Sequence, residues 1–166
     1  LASLTAGGLR GADEFVNAYH DNPNTDFHTM VSEMAKIDRK KAKTINLGLF
    51  YGMGKGKLSS ELGLSPGQAE DLFEKYHSRV PFVKEMIERT MKKAADVGHV
   101  RTLLGRKCRF DLWEPSRYGV HRPLPRDEAE REHGKQIRRA FTYKALNKII
   151  QGSAADMTKK AMADLH

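Results

Sequence analysis

The sequence predicts a mainly α-helical fold with one small β-hairpin at about residues 99–112. Apolar residues recur at helical spacing along most of the 166 residues, and Gly and Pro separate these stretches. Between Val100 and Leu104 the spacing changes to the alternation of a β-strand, and Gly105-Arg106 has the composition of a turn. Helix and hairpin signals therefore occupy separate parts of the chain.

The first part of the chain carries three short helical signals. Residues 1–6 and the stretch from Ala12 to Tyr19 have amphipathic rhythms. Residues 21–24, Asp-Asn-Pro-Asn, form a turn by composition, and Thr25 or Asp26 is expected to cap the next helix.

Two longer helices are predicted between residues 65 and 98. Ser65 is the expected N-cap, with Pro66 at the first helical position and Gln68 completing a capping box. Val80-Pro81 interrupts the helical pattern, and Gly98 ends the helix that follows.

The last part of the chain divides into an irregular and a helical segment. Residues 114–135 are rich in Pro and charge and show no sustained period. Within them the acidic run 127–132 is expected to be a solvated loop or helix face and not a metal site. The segment from Ile137 to His166 is predicted to be helical.

The composition indicates which partners and environments suit the chain. Lys and Arg outnumber Asp and Glu by 29 to 21, and a net charge of +8 favours an extended polyanion such as nucleic acid. No uninterrupted apolar stretch approaches the ~18 residues of a membrane span. Cys108 is the single cysteine, which excludes an internal disulfide and suits a reducing cytoplasm. It is expected to pack as a small apolar residue.

A stripe of four side chains organises the centre of the chain. Arg39, Lys43, Leu47 and Tyr51 follow in steps of four and therefore share one face of a helix. The stripe passes from cationic to apolar to aromatic, which suits a ligand with phosphates at one end and a base or sugar at the other. A solvated basic turn followed by a buried turn is the alternative. The helix dipole disfavours cations at an N-terminus, so they need another reason to be there.

The glycines after the stripe do not form a phosphate loop. Neither Gly-Lys of Gly-Met-Gly-Lys-Gly is followed by Ser or Thr, as a Walker A loop requires. Gly52, Gly54 and Gly56 are instead expected to end the helix and to offer a hinge, because glycine disfavours helix by roughly 1 kcal/mol relative to alanine.

Residues 39–52, Arg-x-x-x-Lys-x-x-x-Leu-Gly-x-x-Tyr-Gly, resemble motif B of the family A DNA polymerases. That motif is Arg-x-x-x-Lys-x-x-x-(Phe/Tyr)-Gly-x-x-Tyr-Gly, on the O helix of the fingers, and Leu47 is the departure. Residues 26–29, Asp-Phe-His-Thr, resemble the family's Asp-Ile-His-Thr. The short connection from His28 to Arg39 resembles the bacteriophage members more than the cellular bacterial ones.

Two later segments resemble the same family. Residues 98–107 are similar to its Gly-Tyr-Val-x-Thr-x-x-Gly-Arg-Arg, and residues 147–156 to its Asn-x-x-x-Gln-Gly-Thr-Ala-Ala-Asp. Tyr143 stands where the bacterial enzymes carry an Arg, so that contact is not carried over. The motif segments follow the family's order along nearly the whole chain.

The resemblance implies roles for particular residues. The two amides four apart on the last helix, Asn147 and Gln151, are suited to the base acceptors of the minor groove, although they could instead cap neighbouring backbone. His28 is expected to touch the triphosphate, although a lone His near a helix start is often a surface or capping residue. The implied nucleotide-binding set is His28, Arg39, Lys43, Leu47 and Tyr51, with Lys43 and Arg39 as catalytic candidates; the primer-template set is Tyr51, Gly52, Asn147 and Gln151.

The function implied by the resemblance is template-directed addition of deoxynucleotides to a primer 3′ end. Residues 1–135 would be the fingers with a preceding palm-edge helix, and 136–166 a helix entering the palm. We expect the chain to be a piece of a longer cytoplasmic enzyme, in a bacterial host if phage-encoded, and to be inactive alone. The Mg²⁺ ions would bind carboxylates outside it, and its partners would be primer-template DNA and deoxynucleoside triphosphates. The alternative is a non-enzymatic basic helical module that binds nucleic acid through phosphates.

Overall fold

The computed structural model describes residues 8, 9, 11–22, 24, 26–117 and 119–165. These residues are mainly helical, and the chain divides within one helix into two compact units, residues 2–87 and 88–166. None of the described helices combines the length and apolarity needed to cross a bilayer. The predicted helical rhythm of residues 1–6 and the alternative cap Thr25 lie outside the described residues.

The unit of residues 2–87 is built from helices. In chain order they are α1 (Ala12–Asp21), α2 (Phe27–Ala35), α3 (Arg39–Phe50), α4 (Lys55–Leu62), α5 (Pro66–Arg79) and the start of α6 (Pro81–Val97). Helix α2 packs on α3 and also contacts α5, which in turn packs on α4. Ile45, Leu49 and Tyr76 are among the residues that this packing buries. The core of this unit therefore lies beneath α3.

Side-chain caps begin α2, α3 and α5, and those of α2 and α5 lie where the sequence predicts them. The Asp26 carboxylate accepts the backbone N–H of His28 at 2.9 Å, which confirms Asp26 as the cap of α2. Asp38 accepts the N–H of Lys41 at 3.0 Å and places a negative charge at the cationic start of α3. The capping box of Ser65 and Gln68 is confirmed on α5.

Gly and Pro end helices at most of the predicted positions. Helix α5 ends before Val80-Pro81, and Gly98, with a φ of 76°, follows α6, so both predictions are confirmed. Gly52 ends α3 with a φ of 87°. The same prediction is wrong for Gly56, which lies inside α4, because Gly54 already serves as the N-cap of that new helix.

The predicted hairpin opens the unit of residues 88–166. Strand β1 (His99–Arg101) pairs antiparallel with β2 (Lys107–Arg109). In the turn, Thr102 donates its N–H to the Arg106 carbonyl at 3.0 Å, and Gly105 has a φ of 85° that favours glycine. The hairpin and its turn are confirmed.

A second sheet, which the sequence analysis did not predict, occupies the irregular segment. Strand β3 (Leu112–Pro115) lies between β4 (Leu124–Pro125) and β5 (Ile137–Arg139), and all pairs are antiparallel. Helix α7 (Arg126–His133) connects β4 to β5 and carries the acidic run on an exposed face, as expected. Strands of two to four residues are too short for alternation to identify them.

The last helix begins later than predicted. Helix α8 covers Ala145–Asp164 after a 3₁₀ turn at Thr142–Lys144, so the prediction of helix from Ile137 is wrong for its first residues. Cross-strand contacts decide this, because the Arg138 guanidinium pairs with Glu114 at 3.0 Å within the sheet. Tertiary pairing overrides the local helical pattern there.

A small core and a polar joint hold the hairpin on α8. Val100 and Phe110 are buried with Ala145 and Ile149, and Cys108 packs against them as a small apolar residue, as predicted. This apolar cluster fixes one side of the hairpin.

The polar joint involves the tip of the hairpin. The Arg106 guanidinium donates to Asp156 at 2.7 Å and to the Gly152 carbonyl at 3.0 Å. Hydrogen bonds from Thr102 and Arg106 hold the pKa of the Asp156 carboxyl below its usual value. Gly152 leaves room for this contact, since a Cβ there would lie 2.9 Å from Thr102 Cγ2. The two motifs around Gly105-Arg106 and residues 147–156 therefore meet in space.

Candidate functional site

Helix α3 has a buried face and an exposed face, and the predicted stripe positions Lys43 and Leu47 are on the exposed one. Ala42, Ile45, Asn46 and Leu49 are buried. On the other side Lys43 is exposed and Leu47 keeps 43% of its surface accessible. Steps of four residues advance about 6 Å along a helix, so the cationic and apolar positions form a continuous row. Leu47 is thus not simply a core residue.

A cavity of about 400 Å³ lies beside the apolar end of this row. Helices α2, α3, α5 and α6 supply its wall, which is mostly apolar with a few polar groups, as is typical of ligand sites. Three of the predicted nucleotide-binding residues, His28, Leu47 and Tyr51, line it. The full lining is Asp26, Phe27, His28, Asn46, Leu47, Phe50, Tyr51, Tyr76, Val80, Phe82 and Val83.

Arg39 is held next to this cavity by an ion pair. Its Nη2 and Nε lie 2.6 and 2.7 Å from Oδ2 of Asp26, a lining residue. The Thr29 hydroxyl donates to the same oxygen at 3.0 Å. The Arg39 guanidinium lowers the pKa of Asp26 to about 2, so the carboxylate stays charged. An anionic ligand of Arg39 would have to share the guanidinium with Asp26 or displace it.

Lys43 differs from Arg39 in its surroundings. It stands one turn along α3, with an exposed side chain. Within the described residues no carboxylate forms an ion pair with it, whereas Arg39 is paired with Asp26. The predicted role of Lys43 in nucleotide binding stays a prediction.

His28 is joined to the interior by a chain of hydrogen bonds. Asn46, only 7% exposed, places its amide nitrogen 2.9 Å from Nδ1 of His28. The buried hydroxyl of Tyr76 donates to the Asn46 amide oxygen at 2.9 Å. Neither Asn46 nor Tyr76 was predicted as a site residue. An amide on the apolar face of α3 was the available signal, since buried polar groups need partners.

Tyr51 and Gly52 lie where α3 ends. Tyr51 is partly buried, which raises the pKa of its phenol, and its ring meets Phe50 edge to face at 5.6 Å between centroids. The exposed Gly52 turns the backbone with its positive φ. Tyr51 thus reaches the cavity while the chain leaves the helix.

Asn147 and Gln151 belong to the second compact unit. They lie four residues apart on α8, as predicted, with Gln151 exposed. The amide oxygen of Asn147 is buried and has no hydrogen-bond partner among the described residues. Their role in DNA contact stays a prediction.

The described residues do not fit a metal site. Nowhere among them do three or more His, Cys, Asp or Glu side chains come together in a group that could hold a metal ion. The acidic side chains of α7 form no such group. No chemical step is therefore assigned to a metal held by these residues.

Comparison with known proteins identifies relatives for nearly the whole chain. The family model described as DNA polymerase family A matches residues 10–166. The DNA-directed DNA polymerase of Pseudomonas phage M6 is 35% identical over 187 aligned positions, covering 91% of this chain and 25% of that protein. Thermostable DNA polymerase I of Thermus thermophilus is 35% identical and covers 95% of this chain and 18% of its own length.

A solved structure shows the same similarity. The POL domain of Pol1 from M. smegmatis, in complex with a DNA primer-template and dNTP, is 28% identical with a TM-score of 0.61. The match covers 85% of this chain and 24% of that one. The chain spans a quarter or less of the length of these relatives. Because the family model matches residues 10–166, nearly all of this chain, the chain belongs to DNA polymerase family A.

Proposed function

We propose that this chain forms the nucleotide-binding surface of a template-directed DNA polymerase that adds deoxynucleotides to a primer 3′ end. The observation that carries the proposal is the shared cavity of His28, Leu47 and Tyr51 beside the cationic row of Arg39 and Lys43. The M. smegmatis relative, solved with primer-template and dNTP, supports the same assignment.

In this proposal the cations of α3 bind the triphosphate. Lys43, which lacks a carboxylate partner among the described residues, stabilises the charge that develops on the phosphates during transfer. Arg39, oriented by Asp26, contributes mainly to nucleotide binding. His28 donates a hydrogen bond to a phosphate oxygen from the cavity wall.

The apolar end of the row holds the rest of the nucleotide. Leu47 packs against the sugar and base, and Tyr51 lies beside the nascent base pair. Gly52 contacts the primer-template, and Asn147 and Gln151 bind its minor-groove acceptors. Mg²⁺ would bind carboxylates outside the described residues, and the complete enzyme would work in the cytoplasm, of a bacterial host if phage-encoded.

The basic nucleic-acid-binding module is the weaker candidate. Phosphate binding alone requires surface charge, but it requires neither the cavity nor the convergence of three motif residues upon it. Membership of a polymerase family favours the enzyme.

The proposal is tested by changing Lys43 to Ala in a complete polymerase that includes this chain. Loss of a charge-assisted hydrogen bond of ~1.5–3 kcal/mol predicts roughly ten- to a hundredfold slower single-turnover incorporation, with primer-template affinity little changed. Lys41→Ala is the matched control, because Lys41 is exposed on the same helix but off the row. Normal incorporation by the Lys43→Ala enzyme would contradict the proposal.

A further inference from the structure

A buried hydrogen-bond chain leads from the core of the first unit to the wall of the cavity. Tyr76 on α5 is 1% exposed and Asn46 on α3 is 7% exposed. The chain runs from the Tyr76 hydroxyl to the Asn46 amide and on to Nδ1 of His28, each contact measuring 2.9 Å. All three residues line the cavity.

The position of Asn46 needs an explanation beyond packing. Its neighbours on the buried face of α3 are Ala42, Ile45 and Leu49, and an apolar side chain would suit that face. Burying an amide costs free energy unless its polar atoms are paired. Here both ends of the amide are paired, and the second pairing reaches the imidazole at the cavity.

The direction of each hydrogen bond follows from the phenol. The buried hydroxyl of Tyr76 donates to the amide oxygen of Asn46 at 2.9 Å. The NH₂ group of the amide therefore faces His28. An NH₂ group donates and cannot accept, so Nδ1 must present its lone pair. The proton of the neutral ring then lies on Nε2.

We propose that Asn46, itself held by Tyr76, is a positioning residue that fixes His28 as the Nε2–H tautomer, so that Nε2 donates to an anionic oxygen of the ligand. The inference rests on the proposed function for the nature of that ligand, a nucleoside triphosphate. This tautomer makes the cavity wall selective for a hydrogen-bond acceptor beside Nε2, because the Nδ1 lone pair already accepts from Asn46.

The tautomer is tested by replacing the donating NH₂ group of Asn46 with an accepting oxygen. In Asn46→Asp the side chain keeps its shape but only accepts, so it should draw the imidazole proton to Nδ1. Long-range ¹H–¹⁵N spectra of histidine-labelled protein at pH 8 report which ring nitrogen is protonated, with His28 assigned by His28→Gln. We expect Nε2–H in the unmodified protein and protonated Nδ1 in the variant.

Two further variants keep the test decisive. If Asn46→Asp does not fold, Tyr76→Phe tests the same hydrogen-bond chain. This variant retains the ring but frees the amide of Asn46 to rotate, so we expect a mixture of His28 tautomers. Asn22→Asp adds the same charge at an exposed position and should leave the His28 signals unchanged. An Nδ1–H tautomer in the unmodified protein, or an unchanged tautomer in folded Asn46→Asp, would overturn the inference.

Nucleotide affinity separates this inference from the proposed function. With dTTP as the probe, His28→Gln and Asn46→Asp should each weaken binding by about ten- to a hundredfold in a complete polymerase that includes this chain, as expected for a lost hydrogen bond to a charged group. Asn22→Asp should bind dTTP normally. If the tautomer changes as expected but His28→Gln binds dTTP normally, the proposed role of His28 in nucleotide binding is overturned. The spectra alone decide the positioning role.

Discussion

The cavity wall of the first unit and the hairpin joint of the second use family motifs in opposite ways. Around α3, Lys43 and Leu47 are exposed, and Leu47 lines the cavity. At the joint, Arg106 is bound by Asp156 and by the Gly152 carbonyl. The side chains of Lys43 and Leu47 are therefore accessible for contacts outside the protein. The Arg106 guanidinium instead forms its hydrogen bonds within the protein.

This difference shows how a motif residue can be assigned to binding or to structure. Lys43 and Arg106 are both cations in segments that resemble the same family. Arg106 satisfies two protein acceptors, and its hydrogen bond to Asp156 raises the pKa of its guanidinium. Lys43, in contrast, has no carboxylate partner among the described residues. Arg39 is intermediate, since it is paired with a carboxylate that itself lines the cavity. The partners of a residue, more than its motif, distinguish the two roles.

The largest expected effect on stability lies at the joint. In Gly152→Ala the new Cβ would meet Thr102 Cγ2 at 2.9 Å, and Thr102 is buried and stiff at χ1. Overpacking should outweigh the helix propensity gained, giving a net loss of about 1–2 kcal/mol in urea unfolding. Gly56→Ala is the matched control, because open space surrounds that position in α4, and it should be neutral or slightly stabilising. Equal stability of the two variants would show that the joint is not tightly packed.

A change at the cavity should alter binding and leave stability nearly unchanged. Leu47→Phe places an aromatic ring at an exposed position, and aromatic packing on the nucleotide should add ~0.5–1.5 kcal/mol to its affinity. From the family resemblance, Leu47→Tyr should also weaken discrimination against dideoxynucleotides. Both are measured by pre-steady-state incorporation in a complete polymerase that includes this chain. Leu104→Phe, in the exposed hairpin turn, is the control. Changes below about twofold for both Leu47 variants would show that Leu47 does not face the nucleotide.

The smallest effect concerns the helix behind the cavity. Burial and the nearby Lys84 lower the pKa of His77, whose ring lies 4.4 Å from that of Phe73 between centroids. The unfolded chain therefore binds this proton first, and His77 reduces stability as pH falls below 6.5 towards its folded pKa. Unfolding at pH 7.5 and 5.5 should show a smaller loss in His77→Phe than in the unmodified chain. An identical loss in both proteins would contradict this.

Local chemistry allowed the sequence to predict much of the helical framework. The capping box at Ser65, the break at Pro81 and the stop at Gly98 depend on neighbouring residues alone, so each could be identified without the tertiary structure. The same holds for the stripe of α3, because helical spacing fixes which residues share a face. The division into 1–135 and 136–166 stays a prediction, and the compact units divide at 87/88.

Contacts between residues distant in sequence were decided by the tertiary structure. Pairing of β5 with β3 made residues 137–139 a strand within a segment predicted to be helical. The ion pair of Arg39 with Asp26 joins residues 13 positions apart, and the bond of Tyr76 to Asn46 joins residues 30 apart. Propensity and periodicity describe the immediate neighbourhood of a residue, whereas the partner of a buried amide or an exposed cation depends on which helices pack together. The sequence by itself therefore determined which side chains share a helix face, and the packing of α2, α3 and α5 decided what those side chains touch.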